Sequence, residues 1–470
     1  MNNINLNGSG AKILLTGATN LVGVMVLEKL LRDQYNDIDS IYVLIRPSEG
    51  VERRLEQIFS TSLFDCLRSS HPSFVDKVIG IAGDPTQPKL GIDCDVAAKL
   101  SCSIETIIHC ANSNEFCLPI KEAFEANTMD VVRLLELADK CTKLHGIVYV
   151  SSAYVNANIK NSVIEEQVYP FPIGDPKYLV ENIPIVPQSG LESLEAHVLT
   201  EYPNTYTFAK ALGEHVLISK SNRWNIAIVR PSIVSSSIMS PTPGWMHGLS
   251  AISSITALVG LGIVDCIPVQ AQAVVDLVPV DYVASMIVAA LHVVKHQPGY
   301  KVYHATSSCL NPLTWDMFRA GVVDGWKRQP RLEKSFGPVR LNLEPDVNAF
   351  KDTVKTSRQR LFTEEACKII KRDPTGSKRI IKLAAMMDGI YSTYLDFCTN
   401  QWLFKSHNVV ELEAKQMLPS NHVTRNIFAT MNWNEYLANF TAGIRSYALD
   451  KNPPPKDLVA VPQSSQHIST

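Results

Sequence analysis

The absences in this chain narrow its class before any motif is read. Its ten cysteines form no Cys-x-x-Cys pair and no compact spacing. That excludes a zinc ribbon and a disulfide-stapled scaffold, and it fits a reduced, intracellular compartment. There is no Lys/Arg-rich run and the net charge is −2, so no field directs the chain to nucleic acid. No uninterrupted apolar run of ~20 residues stands out as a membrane span. The nearest, residues 246–264 (MHGLSAISSITALVGLGIV), is interrupted by serine, threonine and glycine and reads as a buried or interfacial segment. Residues 273–294 are apolar too, but Asp276 and Asp281 argue against crossing a bilayer. The opening MNNINLNGSGAK is polar, without the basic and apolar regions of a secretory signal. His292 and His296 stand four apart with no acidic general base beside them, so they do not indicate a metal site.

What is present is a folded, core-rich chain of 470 residues, 46% hydrophobic and 19% charged, long enough for two or three domains. Short apolar runs alternate with helical patterns. Strands are expected at 12–16, 40–45, 77–82, 105–109, 146–150 and 225–229, which predicts an α/β fold built on a doubly wound parallel sheet. The first run leads into Gly17-Ala-Thr-Asn-Leu-Val-Gly23 and then an amphipathic segment. Strand, glycine turn and helix in that order suit a pyrophosphate at the helix N-terminus, with Gly17 permitting the turn and Gly23 letting the helix approach the strand. Asn20 stands where a middle glycine is expected; asparagine tolerates left-handed backbone angles, yet its side chain takes up space near the phosphates. The second run ends in Arg46 with no acidic residue there, and Arg53 and Arg54 lie close by, which favours NADPH over NADH. Asp84 follows the third run and is placed to meet an adenine edge. Cys110 and Ala111, small residues after the fourth, let backbone pass close to a cofactor, and His109 reads as an ordinary strand-end histidine. Asn127 falls inside the long helical pattern at 119–141.

The fifth run ends in Ser151-Ser152, where a serine can hydrogen-bond a substrate carbonyl. Residues 156–204 are proline-rich and irregular and read as a lid or substrate-binding insertion. Next comes YPNTYTFAKALGE at 202–214. On a helix, Tyr206 and Lys210 share a face one turn apart. An ammonium beside the phenol would lower its pKa from the usual ~10, and such a tyrosine can protonate a carbonyl oxygen while hydride reaches the carbon. A plain surface Tyr–Lys contact is the alternative.

Taken together, TGATNLVG at 16–23, VYVSSAYVN at 148–156, YPNTYTFAKALGE at 202–214, IVRPSIV at 228–234, PTPGW at 241–245, DLVPVDYV at 276–283 and NPLTW at 311–315 resemble the fatty acyl-CoA reductases, the male-sterility-type family of extended short-chain dehydrogenase/reductases. WNEYLANFTAGIRSYALDK at 433–451 resembles the family's C-terminal helical domain. The resemblance implies a Rossmann fold followed by a smaller C-terminal helical domain, with NADPH as cofactor and a long-chain acyl-CoA as substrate. It implies Tyr206 as proton donor, Lys210 as its partner and Ser152 as holder of the carbonyl oxygen. Cofactor contacts are expected from Thr16, Gly17, Thr19, Asn20, Leu21, Val22, Gly23, Arg46, Asp84, Cys110, Ala111, Tyr206 and Lys210. Two departures from the family pattern stand out: Asn20, and NTMDVV at 127–132, which lacks the usual Gly-Thr after its asparagine.

The expected domains are 12–334 for the nucleotide-binding part with its substrate insertions, 335–356 for a connector, 357–451 for the helical part and 452–470 for a disordered tail. The basic pattern at 358–382 reads as a solvated face or a site for CoA phosphate or lipid headgroups. Residues 383–403, apolar and aromatic, read as core or as an acyl-chain groove. The expected product is a primary alcohol formed through an aldehyde. Reduction of another carbonyl, or a nucleotide-binding scaffold without turnover, are the alternatives. The family's habits place the protein in the cytoplasm or peripherally on the cytosolic face of a membrane such as endoplasmic reticulum or peroxisome. Oligomeric state is not legible.

Overall fold

A computed structural model describes residues 10–332, 335–360, 389, 391, 393–414 and 426–450. Its centre is a seven-stranded sheet: β1 (Ala11–Thr16), β2 (Ile38–Ile45), β3 (Val78–Ala82), β4 (Thr106–His109), β5 (Gly146–Val150), β6 (Asn225–Pro231) and β7 (Tyr300–Ala305). All are parallel, in the order β7-β6-β5-β4-β1-β2-β3. Every residue of β4 and β5 is buried, as expected for parallel strands covered by helices on both faces. The six expected strands are present to within two residues at each end. β7 escaped the sequence reading because Tyr300, Lys301 and His304 break its apolar run and leave no clear strand pattern.

The chain leaves β3 at one edge and returns at β4, beside β1. That reversal opens a crevice at the carboxyl ends of β1 and β4, where open α/β sheets bind ligands. Register then sets a row across three strands: Thr16 is paired with His109, and His109 with Tyr149. Their side chains therefore leave the sheet at one level.

Several expected loops are structured. Within 156–204 lie a strand, Ser162–Ile164, and helices Pro176–Asn182 and Gln188–Glu201. Asp175 caps the first of these helices by accepting from the N–H groups of Lys177 and Tyr178, with Pro176 at the first turn. The expected 335–356 connector contains most of a helix, Val347–Arg360, whose Phe350 and Val354 are buried one turn apart. The 119–141 pattern breaks into two helices, Ile120–Asn127 and Met129–Ala138, so Asn127 ends one helix rather than sitting inside a long one.

The apolar 273–294 stretch becomes the helix Val280–His296 with 14 of its 17 residues buried. Its Asp281 carboxylate accepts from the N–H groups of Ile238, Met239 and Ser240, and Asp276 accepts from Ser232 Oγ and the N–H groups of Ser307 and Ser308. Asp281 thus ties the 238–240 loop to this helix, and Asp276 ties together the segments that follow β6 and β7. The 246–264 stretch yields a short helix, Ala251–Gly260. No helix among the described residues is long and apolar enough to cross a membrane.

The described C-terminal segments pack on this body. Strand Trp402–Phe404 pairs with Ser162–Ile164. Helix Trp433–Ile444 closes on Trp315–Lys327, where Gly321 and Gly325 leave room for Leu437 and Thr441. The basic stretch expected at 358–382 lies almost wholly outside the described residues.

On β6 a buried Arg230 forks onto Glu214, Nε to Oε1 at 2.9 Å and Nη2 to Oε2 at 2.5 Å, the two side chains 0% and 2% exposed. Removing one partner strands a charge away from water, at a cost of roughly 3–5 kcal/mol. Glu214→Leu is expected to lower the urea midpoint by a corresponding amount. Adding Arg230→Met should recover most of the loss, because the orphaned charge is then gone.

Candidate active site

Gly17 adopts φ +74°, a left-handed conformation that glycine accepts without penalty. A Cβ there would sit 2.5 Å from Ala111 N and Cys110 C, and one at Gly23 would sit 2.0 Å from Gly17 O. The turn is therefore drawn tight against both β4 and its own helix, Leu21–Asp33. Asn20 does not need the left-handed tolerance expected of it: its backbone is extended, φ −92°. Its side chain turns inward instead of crowding the crevice. Oδ1 accepts from Gly23 N–H at 2.7 Å, and Nδ2 donates to Cys110 O at 2.8 Å. Asn20 is thus the helix cap and a strut between β1 and β4. Leu21 and Val22, at the first turn, have N–H groups without an intrahelical acceptor.

Thr16 is buried, and Thr19 lies half-buried on the turn. At the end of β2, Arg46 extends into solvent, 68% exposed, with Nε 3.8 Å from Asp84 Oδ1. Asp84 also accepts from Thr86 N–H and Oγ1, so its carboxylate shapes a turn as well as facing Arg46. Cys110 is buried, which pushes its thiol up to about 12 against an opposing pull from Lys210.

Helix Thr205–Ile218 presents Tyr206 and Lys210 beneath the ends of β4 and β5. It starts on Asn204, whose side chain accepts from Thr207 N–H. Gly213 lets it approach the Ile120–Asn127 helix: a Cβ would be 2.8 Å from Asn127 O and 3.3 Å from Tyr149 Oη. Burial pushes the Tyr206 pKa up to about 12, against the opposing influence of the neighbouring Ser152 and Asn112 side chains. Ser152 Oγ also accepts from Tyr154 N–H at 3.2 Å. Neighbouring Ser151 Oγ, buried at the same strand end, has no hydrogen-bond partner among the described residues. It is a polar atom facing an unfilled need.

One expectation is corrected here. Lys210 does not lower the Tyr206 pKa. Its ammonium donates to Tyr149 Oη and Val150 O, each at 3.2 Å, and lies 4.7 Å from the Tyr149 ring centroid. The pair shares a helix face, but the lysine is anchored to β5.

Sequence reasoning missed four neighbours. Asn112 neighbours the Tyr206 hydroxyl and could have been noticed from its place just past β4. Tyr149 was hidden in a strand that reads as wholly apolar. Asp130 accepts from His109 Nε2 at 3.1 Å, so His109 is more than a strand-end residue. Phe116 packs on Tyr206, ring centroids 5.0 Å apart, and meets Tyr394 and Phe397 of the C-terminal segment. No cluster of metal-ligating side chains occurs among the described residues.

The reversal at β1/β4, the glycine turn and the serine–tyrosine–lysine group define a reductase of the extended short-chain class. Residues 15–287, more than half of the chain, match the family model described as male sterility protein. Over 467 residues the chain is 34% identical to fatty acyl-CoA reductase 1 of Gallus gallus and 32% identical to that of Homo sapiens, in each case across 98% of this chain and 88% of the relative. It is 30% identical over 470 residues to fatty acyl-CoA reductase 2 of Mus musculus, with the same coverage. The chain belongs to the male-sterility family of reductases. In fold it is similar to the terminal R domain of the myxalamid PKS-NRPS pathway (TM-score 0.64, 19% identity, 94% of this chain and 92% of that one). It is also similar to a non-ribosomal peptide synthetase R domain of Mycobacterium tuberculosis (TM-score 0.59, 20% identity, 94% of each chain).

The Asn20 strut carries a direct test. Asn20→Ala removes both the cap and the bond to Cys110 O, and it is expected to cost about 1–2 kcal/mol of stability, read as a lower urea midpoint. Asn20→Gly should recover little, since glycine can relax the turn but cannot bridge it to β4.

Proposed function

We propose that the chain reduces long-chain fatty acyl-CoA thioesters to primary alcohols through an aldehyde, using NADPH. The observation that carries this reading is the meeting of Ser152, Tyr206 and Lys210 at the carboxyl end of β5, beside the glycine turn, in a chain aligned with fatty acyl-CoA reductases along nearly its whole length. The residues present fit a nicotinamide dinucleotide. The tight Gly17 turn, with no room for a Cβ, leaves the Leu21 and Val22 N–H groups to meet a pyrophosphate. Exposed Arg46, with no carboxylate at its own strand end, suits a 2′-phosphate. When bound, the cofactor supplies hydride.

The chain's own residues do the rest. Ser152 Oγ and the Tyr206 hydroxyl, neighbours at the end of β5, hold the thioester oxygen between them. A phenol pushed up to about 12 is fully protonated at neutral pH, the state a proton donor needs. As hydride reaches the carbonyl carbon, Tyr206 gives its proton to the oxygen, and the product is a hemithioacetal. The hydroxyl proton returns to the Tyr206 phenolate as the C–S bond breaks, and CoA departs as its thiolate. A second hydride and the Tyr206 proton convert the aldehyde to the alcohol, after which water reprotonates Tyr206. Lys210 provides a fixed positive charge at the end of β5, anchored by Tyr149 Oη and Val150 O.

The aromatic wall of Phe116, Tyr394 and Phe397 gives the acyl chain an apolar surface beside Tyr206. A small apolar cavity of about 20 Å³ lies behind Tyr394, lined by Ile255, Ile267, Tyr391 and Cys398 among others. Thiols that are free throughout the described residues support a reducing, intracellular setting. We place the protein in the cytoplasm or peripherally on a cytosolic membrane face.

Purified protein incubated with palmitoyl-CoA and NADPH should oxidise two NADPH per alcohol formed and release one CoA. Absence of NADPH oxidation across a chain-length panel sinks the proposal. Tyr206→Phe is expected to lower kcat by about 10²–10⁴-fold while leaving NADPH affinity nearly unchanged. Full retention of activity would remove Tyr206 from the chemistry.

A further inference from the structure

The Phe116 ring, 5.0 Å from that of Tyr206, stands at a fork between two aromatic branches. One branch runs to Phe397, 5.7 Å away, and is filled. Phe397 meets Tyr154 edge to face at 5.2 Å, and Tyr154 meets Trp402 and Phe404 in the same way at 5.8 and 5.5 Å. Trp402 and Phe404 are buried, and Trp402 Nε1 donates to Ile159 O at 2.9 Å. The other branch runs to Tyr394, whose ring meets that of Phe116 at 5.6 Å and 73°. Behind Tyr394 lies the apolar cavity of about 20 Å³.

Tyr391, Tyr394 and Cys398 recur at i, i+3 and i+7, the spacing of one helix face, and all three line the cavity. Ile255 of the Ala251–Gly260 helix and Ile267 line it from the body of the fold. Tyr391 is held in place: its ring packs edge-on against buried Phe350 at 4.9 Å, and its hydroxyl donates to Cys266 O at 3.3 Å. Burial pushes the Cys398 thiol up to about 12, so it stays neutral and behaves as an apolar wall. A void of this size admits one group as large as a water or a methyl, and an apolar void stays dry. It therefore suits the end of a hydrocarbon chain better than solvent.

We propose that Tyr394 sets the length of acyl chain the site accepts, its ring standing between the aromatic wall beside Tyr206 and the cavity, and that the cavity takes the terminal carbon of the chain. The inference rests on the acyl-CoA reading above and names the residue that measures the substrate. A chain running past Phe116 finds the Phe397 branch occupied by packed rings and the Tyr394 branch ending in space for one more group. Each further carbon that is buried strengthens binding about fourfold, whereas a carbon that finds no room is rejected by about tenfold or more. Removing the Tyr394 ring joins its volume to the cavity and lengthens the space. Filling the cavity from the opposite wall, at Ile255, shortens it.

Two length profiles test this. In the first, kcat/KM is measured for saturated acyl-CoA thioesters from dodecanoyl to eicosanoyl. In the second, calorimetry gives the affinity of S-alkyl-CoA thioethers of the same lengths, which have no carbonyl to reduce and so report binding without turnover. Tyr394→Ala should shift the preferred length upward, raising the preference for the longest chains over the wild-type optimum by about tenfold. Ile255→Phe should shift it downward. Tyr394→Phe keeps the ring and should keep the wild-type preference. Should Tyr394→Ala not fold, Tyr394→Leu takes its place in the same comparison. A Tyr394 variant whose profile coincides with that of the wild type within about twofold, or an Ile255→Phe variant that does not shorten the preferred chain, overturns the proposal. Equal affinity of the wild type for every thioether overturns it too. A wild-type protein that binds the thioethers by length but reduces no thioester overturns the function above and leaves the binding profiles to decide the role of Tyr394.

Discussion

An ammonium fully removed from water at the end of a parallel strand is the constraint on which the centre of this molecule depends. Lys210 cannot be buried unpaired, and its surroundings are arranged accordingly. The Val150 carbonyl and the Tyr149 hydroxyl take two of its hydrogens, Asp130 and Glu214 supply negative charge, and Arg230 balances Glu214. Parallel register makes this arrangement possible, because Thr16, His109 and Tyr149 leave three adjacent strands at one level. Sheet order puts the same level at the crevice where a dinucleotide binds. The polar groups that hold the sheet's centre together are thus the ones that set the electrostatics of the site.

The two departures from the family pattern acquire physical roles in this setting. Asn20 replaces glycine without obstructing the turn, because its side chain folds back to cap the helix and tie β1 to β4. Asp130, in the stretch that lacks the usual Gly-Thr, accepts from His109 Nε2 and from Val131 N–H.

The C-terminal segments act as a cover as much as a separate layer. Tyr394 and Phe397 reach Phe116, and through it Tyr206. The 402–408 stretch is tied to β7 by Glu166, which accepts from the N–H groups of His304 and Asn408, and by a His304 bond to Lys405 O. Such a cover lays aromatic side chains of the C-terminal segment beside Tyr206.

The sequence by itself determined the strand–turn–helix start, six of the seven strands, the serine after β5 and the Tyr206/Lys210 helix. Each is carried by local signals: apolar runs of strand length, glycine spacing, and a four-residue repeat on one helix face. Asp175-Pro176 and the Phe350/Val354 pair were also legible signals for the helices at Pro176–Asn182 and Val347–Arg360, although composition pointed to loops there. Only the tertiary structure decided what Lys210 touches, because its partners Tyr149 and Val150 lie 61 and 60 residues away, on a strand of the sheet. It alone raised the Tyr206 pKa, since burial is a property of the packed whole, whereas proximity on a helix had suggested the opposite direction. It alone turned Asn20 inward, because the acceptor that holds it, Cys110 O, belongs to a strand that reaches it only after the chain has crossed the sheet.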